Sequence, residues 1–218
     1  MRLNKFIALH TDLSRRKADE AITLGRVMVN DQMPAQGENV SEDSKVQIDG
    51  VLIEHAASDA ITLLVNKPEG YISSKDGQGS KTVYDLIPDE FKTLNIAGRL
   101  DKDSSGLMIL TSDGLLLNEL THPSNNKQKL YEVTVDHSIR PTHLNKIQSG
   151  VDIGEKRLSK MHIEQIDGNK YSVKLSEGRN RQIRRTLSGL GYKVVTLHRV
   201  QIGPYSIESL SENTFITL

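Results

Sequence analysis

A chain of 218 residues, 36% of them apolar, is long enough for one sizeable core or for a small module followed by a larger domain. The absence of cysteine excludes disulfides, thiolate metal sites and a cysteine nucleophile. With no signal-peptide stretch and no run near the roughly 20 apolar residues that span a bilayer, the sequence is expected to be a soluble, cytoplasmic protein. A formal net charge of zero argues against a uniformly basic nucleic-acid binder.

From the N-terminus, Leu3, Phe6, Ile7 and Leu9 outline one apolar helical face. Ser14 is placed to cap a second helix, carrying Ala18, Ala21, Ile22 and Leu24 until Gly25 stops it. Short strands are predicted at Val27-Met28-Val29 and Lys45-Val46-Gln47-Ile48, with turns at Asn30-Asp31 and Asp49-Gly50. The small, polar stretch 55–59 reads as a linker, which predicts a compact two-helix module over residues 1–58 and a second domain over 59–218.

In the second domain, Ile61-Thr62-Leu63-Leu64-Val65 and residues 107–110 read as buried strands, and Asp113-Gly114 opens a helix bearing Leu116, Leu117 and Leu120. Residues 131–135 alternate like a half-buried strand, and Pro141 sits at the first turn of a helix ending at Gly150. Residues 161–166 and 171–175 form a hairpin across Asp167-Gly168-Asn169. Asn180 is expected to cap a helix running through Leu190, with Gly191 as terminator, before a last strand over 194–202. The sum is an α+β protein with a mixed, largely antiparallel sheet and helices packed on it.

Charge is unevenly placed. Residues 1–30 hold six Lys and Arg against three acids, 31–58 hold one against six, and 174–199 hold seven against Glu177 alone. Two separated basic surfaces fit either a polyanion bound along a track or two solvated helix faces.

Three places can carry chemistry. Asp101, in Gly98-Arg99-Leu100-Asp101, lies in a glycine-bounded loop leading into a core strand; its spacing alone favours a turn cap over a rigidly held nucleophile or base. Asp103, beside Ser104 and Ser105, suits the capping role better, and Arg99 suits turn stabilisation or phosphate binding. In residues 177–185 a helical wheel puts Ile183, Leu187 and Leu190 on the core face, Arg184 at its boundary, and Arg181 and Arg185 nearly opposite. A boundary arginine needs an acidic partner, and Asp101 is expected to be that of Arg184, leaving Arg181 and Arg185 for phosphates or solvent. Tyr131 shares a strand face with Val133 and Val135, as a core residue or as a platform for an extruded base. The seven histidines show no metal-ligand spacing and no phosphate-cradling glycine loop is present, so neither a metal nor a nucleotide cofactor is expected.

Four ordered stretches, Asn66-Lys67-Pro68-Glu69-Gly70, GRLDKDSSGLMILTSDG over 98–114, KLYEV over 129–133 and EGRNRQIRR over 177–185, resemble those of the pseudouridine synthases of the RsuA/RluB/RluE/RluF family. Residues 1–58 resemble the S4 RNA-binding module that commonly precedes that catalytic domain. The resemblance implies an isomerase that converts a uridine of ribosomal RNA to pseudouridine without a cofactor, with Asp101 as the catalytic carboxylate, Tyr131 stacked on the uracil and Arg184 paired with Asp101. It also makes Arg2, Lys5, Arg15, Arg16, Lys17 and Arg26 RNA-contact candidates, beside Arg99, Arg181 and Arg185. The Gly-Arg-Asn-Arg-Gln run leans toward large-subunit (23S) over small-subunit (16S) RNA, and a monomer acting on a ribosomal subunit or assembly intermediate, with no membrane partner, is expected. The rivals are a non-catalytic ribosome-binding module, which leaves Asp101, Tyr131 and Arg184 unexplained, and a nucleoside hydrolase, for which a second carboxylate motif is missing.

Overall fold

The computed structural model describes residues 1–11, 13–41, 43–53, 60–208 and 210–218. The chain divides into two compact units, Met1–Ala60 and Ile61–Leu218. The expected linker at 55–59 lies outside the described residues.

In the first unit, α1 (Leu3–His10) and α2 (Arg15–Thr23) pack with a three-stranded antiparallel sheet of β1 (Val27–Val29), β2 (Val46–Ile48) and β3 (Val51–Leu52). Ser14 caps α2, its hydroxyl accepting from the Lys17 amide at 3.3 Å. Leu3, Phe6, Ile7, Ala18, Ala21, Val27 and Val46 are buried together. Leu24 departs from expectation: it follows the last helical residue, so the wheel no longer governs it, and it is exposed. Arg2, Arg15, Arg16 and Lys17 are exposed and Lys5 half-buried. Arg26 holds Asp49 in a fork, with Nε donating to Oδ1 at 2.9 Å and Nη2 donating to Oδ2.

The second unit is built on a nine-stranded sheet. Its strands are β4 (Thr62–Lys67), β5 (Asn95–Ile96), β6 (Ser105–Thr111), β7 (Lys129–Val135), β8 (His162–Asp167), β9 (Lys170–Leu175), β10 (Val194–Ile202), β11 (Tyr205–Ser206) and β12 (Phe215–Thr217). The order is β12-β4-β6-β10-β7-β9-β8, with β5 beside β6 and β11 beside β10. Only β6 and β10 run parallel, so the sheet is mixed and largely antiparallel, and the protein is α+β as expected.

Asp113 caps α3 (Gly114–Thr121) by accepting from the amides of Leu115 and Leu116, at 2.7 and 3.1 Å. Pro141 opens α4 (Pro141–Ser149). Because side chains alternate along a strand, the sheet buries two separate sets. Leu63, Val65, Met108, Tyr131, Val133 and Val173 meet Ile147 of α4 and Ile183 and Leu187 of α5 (Gln182–Ser188). Leu64, Leu107, Ile109 and Ile202 meet Leu120 of α3 and Leu210. Strands β4 and β6 are covered on both faces, which is why they read as unbroken apolar runs. Among the described residues, no helix is long and apolar enough to cross a membrane.

The expected helix over 180–190 is shorter at both ends. Arg181, not Asn180, is the N-cap, with a left-handed φ of 47°, and Leu190 falls outside the helix, which closes at Gly189.

The parallel pairing of β6 and β10 depends on Gly106. It stands opposite Arg199 with φ of +109°, and a Cβ there would come within 2.3 Å of the Arg199 carbonyl oxygen. Gly106→Ala is therefore expected to destabilise the protein by about 2–3 kcal/mol, combining backbone strain with forced separation of the two strands. A denaturant titration measures this, and a change below about 0.5 kcal/mol would contradict it.

Candidate active site

The loop over residues 97–104, between β5 and β6, carries Asp101 and is pinned from three directions. Arg199, on β10 and 1% exposed, donates from Nη2 to the Gly98 carbonyl (3.3 Å), from Nη1 to that of Arg99 (3.2 Å) and from Nε to that of Leu107 (2.8 Å). The Ser73 hydroxyl donates to the Leu100 carbonyl at 2.7 Å and accepts from the Leu100 amide at 3.0 Å. The Gly70 amide donates to the Lys102 carbonyl at 2.7 Å. Neither Arg199 nor Ser73 was singled out by sequence. The signal for Arg199 is its place two residues after Leu197 on the inward side of a strand, where an arginine must satisfy its donors locally.

Lys67, fully buried at the end of β4, donates from Nζ to the carbonyls of Pro68 and Tyr71, each at 2.8 Å. Burial, helped by the nearby Arg199 charge and opposed by Glu69, Asp103 and Asp101, brings its pKa down from 10.5 to about 8. The unfolded chain then holds the extra proton between those values, so stability rises with pH across about 8 to 10.5, by on the order of 2–3 kcal/mol from this group. Denaturation of wild type and Lys67→Met at both ends of that window should find the rise in wild type and lose it in the variant; parallel curves would refute the assignment.

Asp101 itself is 35% exposed at the side chain, and its Oδ2 accepts from Nη1 of Arg181 at 3.3 Å. The same guanidinium grips Asp103 in a fork, at 2.9 and 2.7 Å. These bonds, with the charge of Arg184 added, hold the Asp103 carboxyl below the usual carboxylate range despite its partial burial. The expected pairing of Asp101 with Arg184 is therefore corrected: Arg181 holds that position. The cause is the left-handed N-cap, which takes Arg181 off the helical wheel that had pointed it away. Arg184, half-buried at the core boundary as the wheel required, donates from Nη2 to the Asp103 carbonyl and to Ser104 Oγ, and from Nη1 to the Val194 carbonyl at 3.2 Å. Its Nε lies 3.3 Å from Asp103 Oδ2, at ion-pair distance but without hydrogen-bond geometry.

Arg185 is likewise turned inward, to Glu155 and the Ile153 carbonyl, and is not among the residues lining the cavity beside Asp101. A buried polar cluster sets this course: Gln182 Nε2 donates to Ser159 Oγ (3.1 Å) and Glu177 (2.6 Å), and the Thr186 hydroxyl lies 2.8 Å from Ser159 Oγ. Arg179 donates to the carbonyls of Arg157 and Leu158, fastening residues 177–185 to the loop over 153–159.

The cavity holds about 380 Å³, bounded by the Asp101 loop, Arg99, Tyr131, Leu197 and the 175–183 segment. Tyr131 stands opposite Arg199 and Val173 in register, largely buried but facing the cavity, and its hydroxyl has no hydrogen-bond partner among the described residues. Arg99 also lines the space. Chemically, the site offers a carboxylate on an immobilised loop, a fork of arginine beside it, and an aromatic ring that can flank a planar group. Arg2, Lys5, Arg15, Arg16, Lys17 and Arg26 belong to the first unit.

The family described as RNA pseudouridylate synthase matches residues 61–189. Over 211 residues the chain is 34% identical to the dual-specificity RNA pseudouridine synthase RluF of Escherichia coli, covering 96% of this chain and 72% of that protein. It is 33% identical to ribosomal small subunit pseudouridine synthase A of Haemophilus influenzae, covering 99% and 94% of the two chains. A crystal structure of a pseudouridylate synthase superposes with a TM-score of 0.73 at 31% identity, covering 100% of this chain and 96% of the other. The chain belongs to the RNA pseudouridylate synthase family, in the group that holds RluF and the small-subunit synthase A. It is an isomerase acting on RNA.

Proposed function

We propose that this enzyme isomerises a uridine of ribosomal RNA to pseudouridine, with large-subunit RNA preferred over small-subunit RNA and Asp101 as its catalytic carboxylate. The observation that carries the reading is the immobilised Asp101 loop opening onto a cavity that Tyr131 flanks. The N1–C1′ bond breaks, the uracil turns, and C5 bonds to C1′, giving up its proton while N1 takes one up; nothing is oxidised or reduced. Asp101 attacks C1′ or removes a sugar proton. Tyr131 supports the uracil outside the stack, Arg181 and Arg99 meet phosphate or carboxylate, and Arg184 steadies the turn at Asp103 and Ser104 next to the nucleophile. Residues 1–58 act as an S4 RNA-binding module through Arg2, Lys5, Arg15, Arg16, Lys17 and Arg26, the last in competition with Asp49. The protein works in the cytoplasm as a monomer. Its relatives' names, one of them a small-subunit enzyme, and the basic run over 177–185 support a ribosomal substrate.

The test is to incubate unmodified large- and small-subunit ribosomal RNA with wild type and with Asp101→Asn, map pseudouridine by chemical labelling, and assay free uracil. Pseudouridine from wild type alone, in large-subunit RNA, is expected. Product in small-subunit RNA alone would reverse the subunit preference, and free uracil without pseudouridine would make the protein a hydrolase.

A further inference from the structure

A second cleft of about 570 Å³ adjoins the Asp101 cavity, the two sharing Leu175, Ser176, Glu177 and Arg179 as a common wall. Its lining includes Met161 and Leu175, both buried, and Leu158, half exposed. It also carries Gln128, Gln148, Lys160 and Lys174. Two arginines near this wall have their charge met inside the chain, Arg179 by Glu177 and Arg181 by Asp101 and Asp103. Lys160 and Lys174 have no acidic partner at ion-pair distance among the described residues. The side-chain amide of Gln128 makes no hydrogen bond among them, and that of Gln148 makes one long contact, 3.4 Å to the Ile163 carbonyl.

We propose that this second cleft is a nucleotide subsite, holding a nucleotide next to the target uridine in the same RNA strand. Its base rests on Leu158 and Met161 with its edge toward Gln128 and Gln148, and its phosphate meets Lys160 and Lys174. Carboxamides with little or no internal bonding can pair with the edges of unstacked bases. Lysines without an internal partner are the ones that can release counterions from a phosphate backbone. An apolar surface between them suits a base face, and the shared wall lets a single strand enter both clefts without a break. The inference rests on the reading of the Asp101 cavity as the place where the target uridine reacts.

The experiment compares wild type, the double variant Lys160→Ala/Lys174→Ala, its charge-keeping counterpart Lys160→Arg/Lys174→Arg, and Gln128→Ala, using transcribed ribosomal RNA as probe. In the alanine pair, KM is expected to rise about five- to tenfold with kcat within about twofold, and the slope of log affinity against log salt to shrink by about two. The arginine pair should recover both quantities. Gln128→Ala should raise KM about threefold with the salt slope unchanged. Wild-type KM and salt slope in the alanine pair would overturn the subsite, and an unchanged Gln128→Ala would overturn its base-reading half. If wild type makes no pseudouridine in this RNA, the ribosomal reading fails instead. Filter retention of the same RNA by wild type and by the alanine pair then decides the subsite separately.

Discussion

Asp101→Asn is expected to lower single-turnover pseudouridine formation by at least roughly 10³-fold, as loss of an attacking group does elsewhere, while the protein stays folded. The amide keeps the shape of the carboxylate and loses its charge. Asp101 is 35% exposed, its contact with Arg181 is a single bond of 3.3 Å, and the loop that carries it is held by backbone bonds to Arg199, Ser73 and Gly70 rather than by its own side chain. Stability should therefore move by no more than about 1 kcal/mol, the scale of a partly exposed ion pair. Asp103→Asn inverts the pattern: Arg181 loses a two-bond grip, and the activity cost should be smaller, because Asp103 orients Arg181 without lining the cavity. Residual turnover of Asp101→Asn within tenfold of wild type, with melting unchanged, would remove Asp101 from the chemistry.

Arg199→Leu is expected to harm both stability and rate. The guanidinium is 1% exposed and serves three carbonyls, those of Gly98, Arg99 and Leu107, and leucine offers none of them a donor. Each buried carbonyl left unmet costs about 1–3 kcal/mol, so a loss of roughly 4 kcal/mol is expected, softened where water reaches the loop. Two of those carbonyls belong to the residues just before Leu100 and Asp101, so the carboxylate should also drift. A displacement near 1 Å at a reacting group costs about 10²-fold in rate, and kcat should bear that loss with KM little changed. Arg199→Lys separates the contributions: it keeps the charge, and one ammonium replaces a fork that reaches three acceptors, so it should fall between wild type and Arg199→Leu. Stopped-denaturant unfolding and single-turnover assays on the same preparations provide both readings. A folded Arg199→Leu with wild-type kcat would show that the loop holds its own geometry.

Much of the architecture was legible because it is written locally. Ser14, Asp113 and Pro141 mark helix starts through bonds or ring constraints formed within three residues of themselves, and each stands where it was read. Alternation along β7 put Tyr131 on the inward face with Val133 and Val135, and the burial agrees. The order of the four motifs carried the family, since it needs no geometry at all.

Asp101 and Tyr131 were likewise named from sequence, and the same cavity receives both. The arginine that meets Asp101 was read there as Arg184, and it is Arg181. A helical wheel presumes a helix, and Arg181 takes a left-handed turn one residue before the helix begins, so the guanidinium that the wheel turned away comes to the carboxylate 80 positions earlier. Likewise the contacts that fix the Asp101 loop span 27 positions for Ser73 and about 100 for Arg199. The sequence by itself determined the helix and strand starts, the inward faces and the membership of a family, because caps and periodicity act between near neighbours. Only the tertiary structure decided which charges are met inside the chain, at Arg179, Arg181 and Arg185, and that Lys160 and Lys174 have no acid at ion-pair distance among the described residues, because such pairs come from strands and loops brought together across long separations.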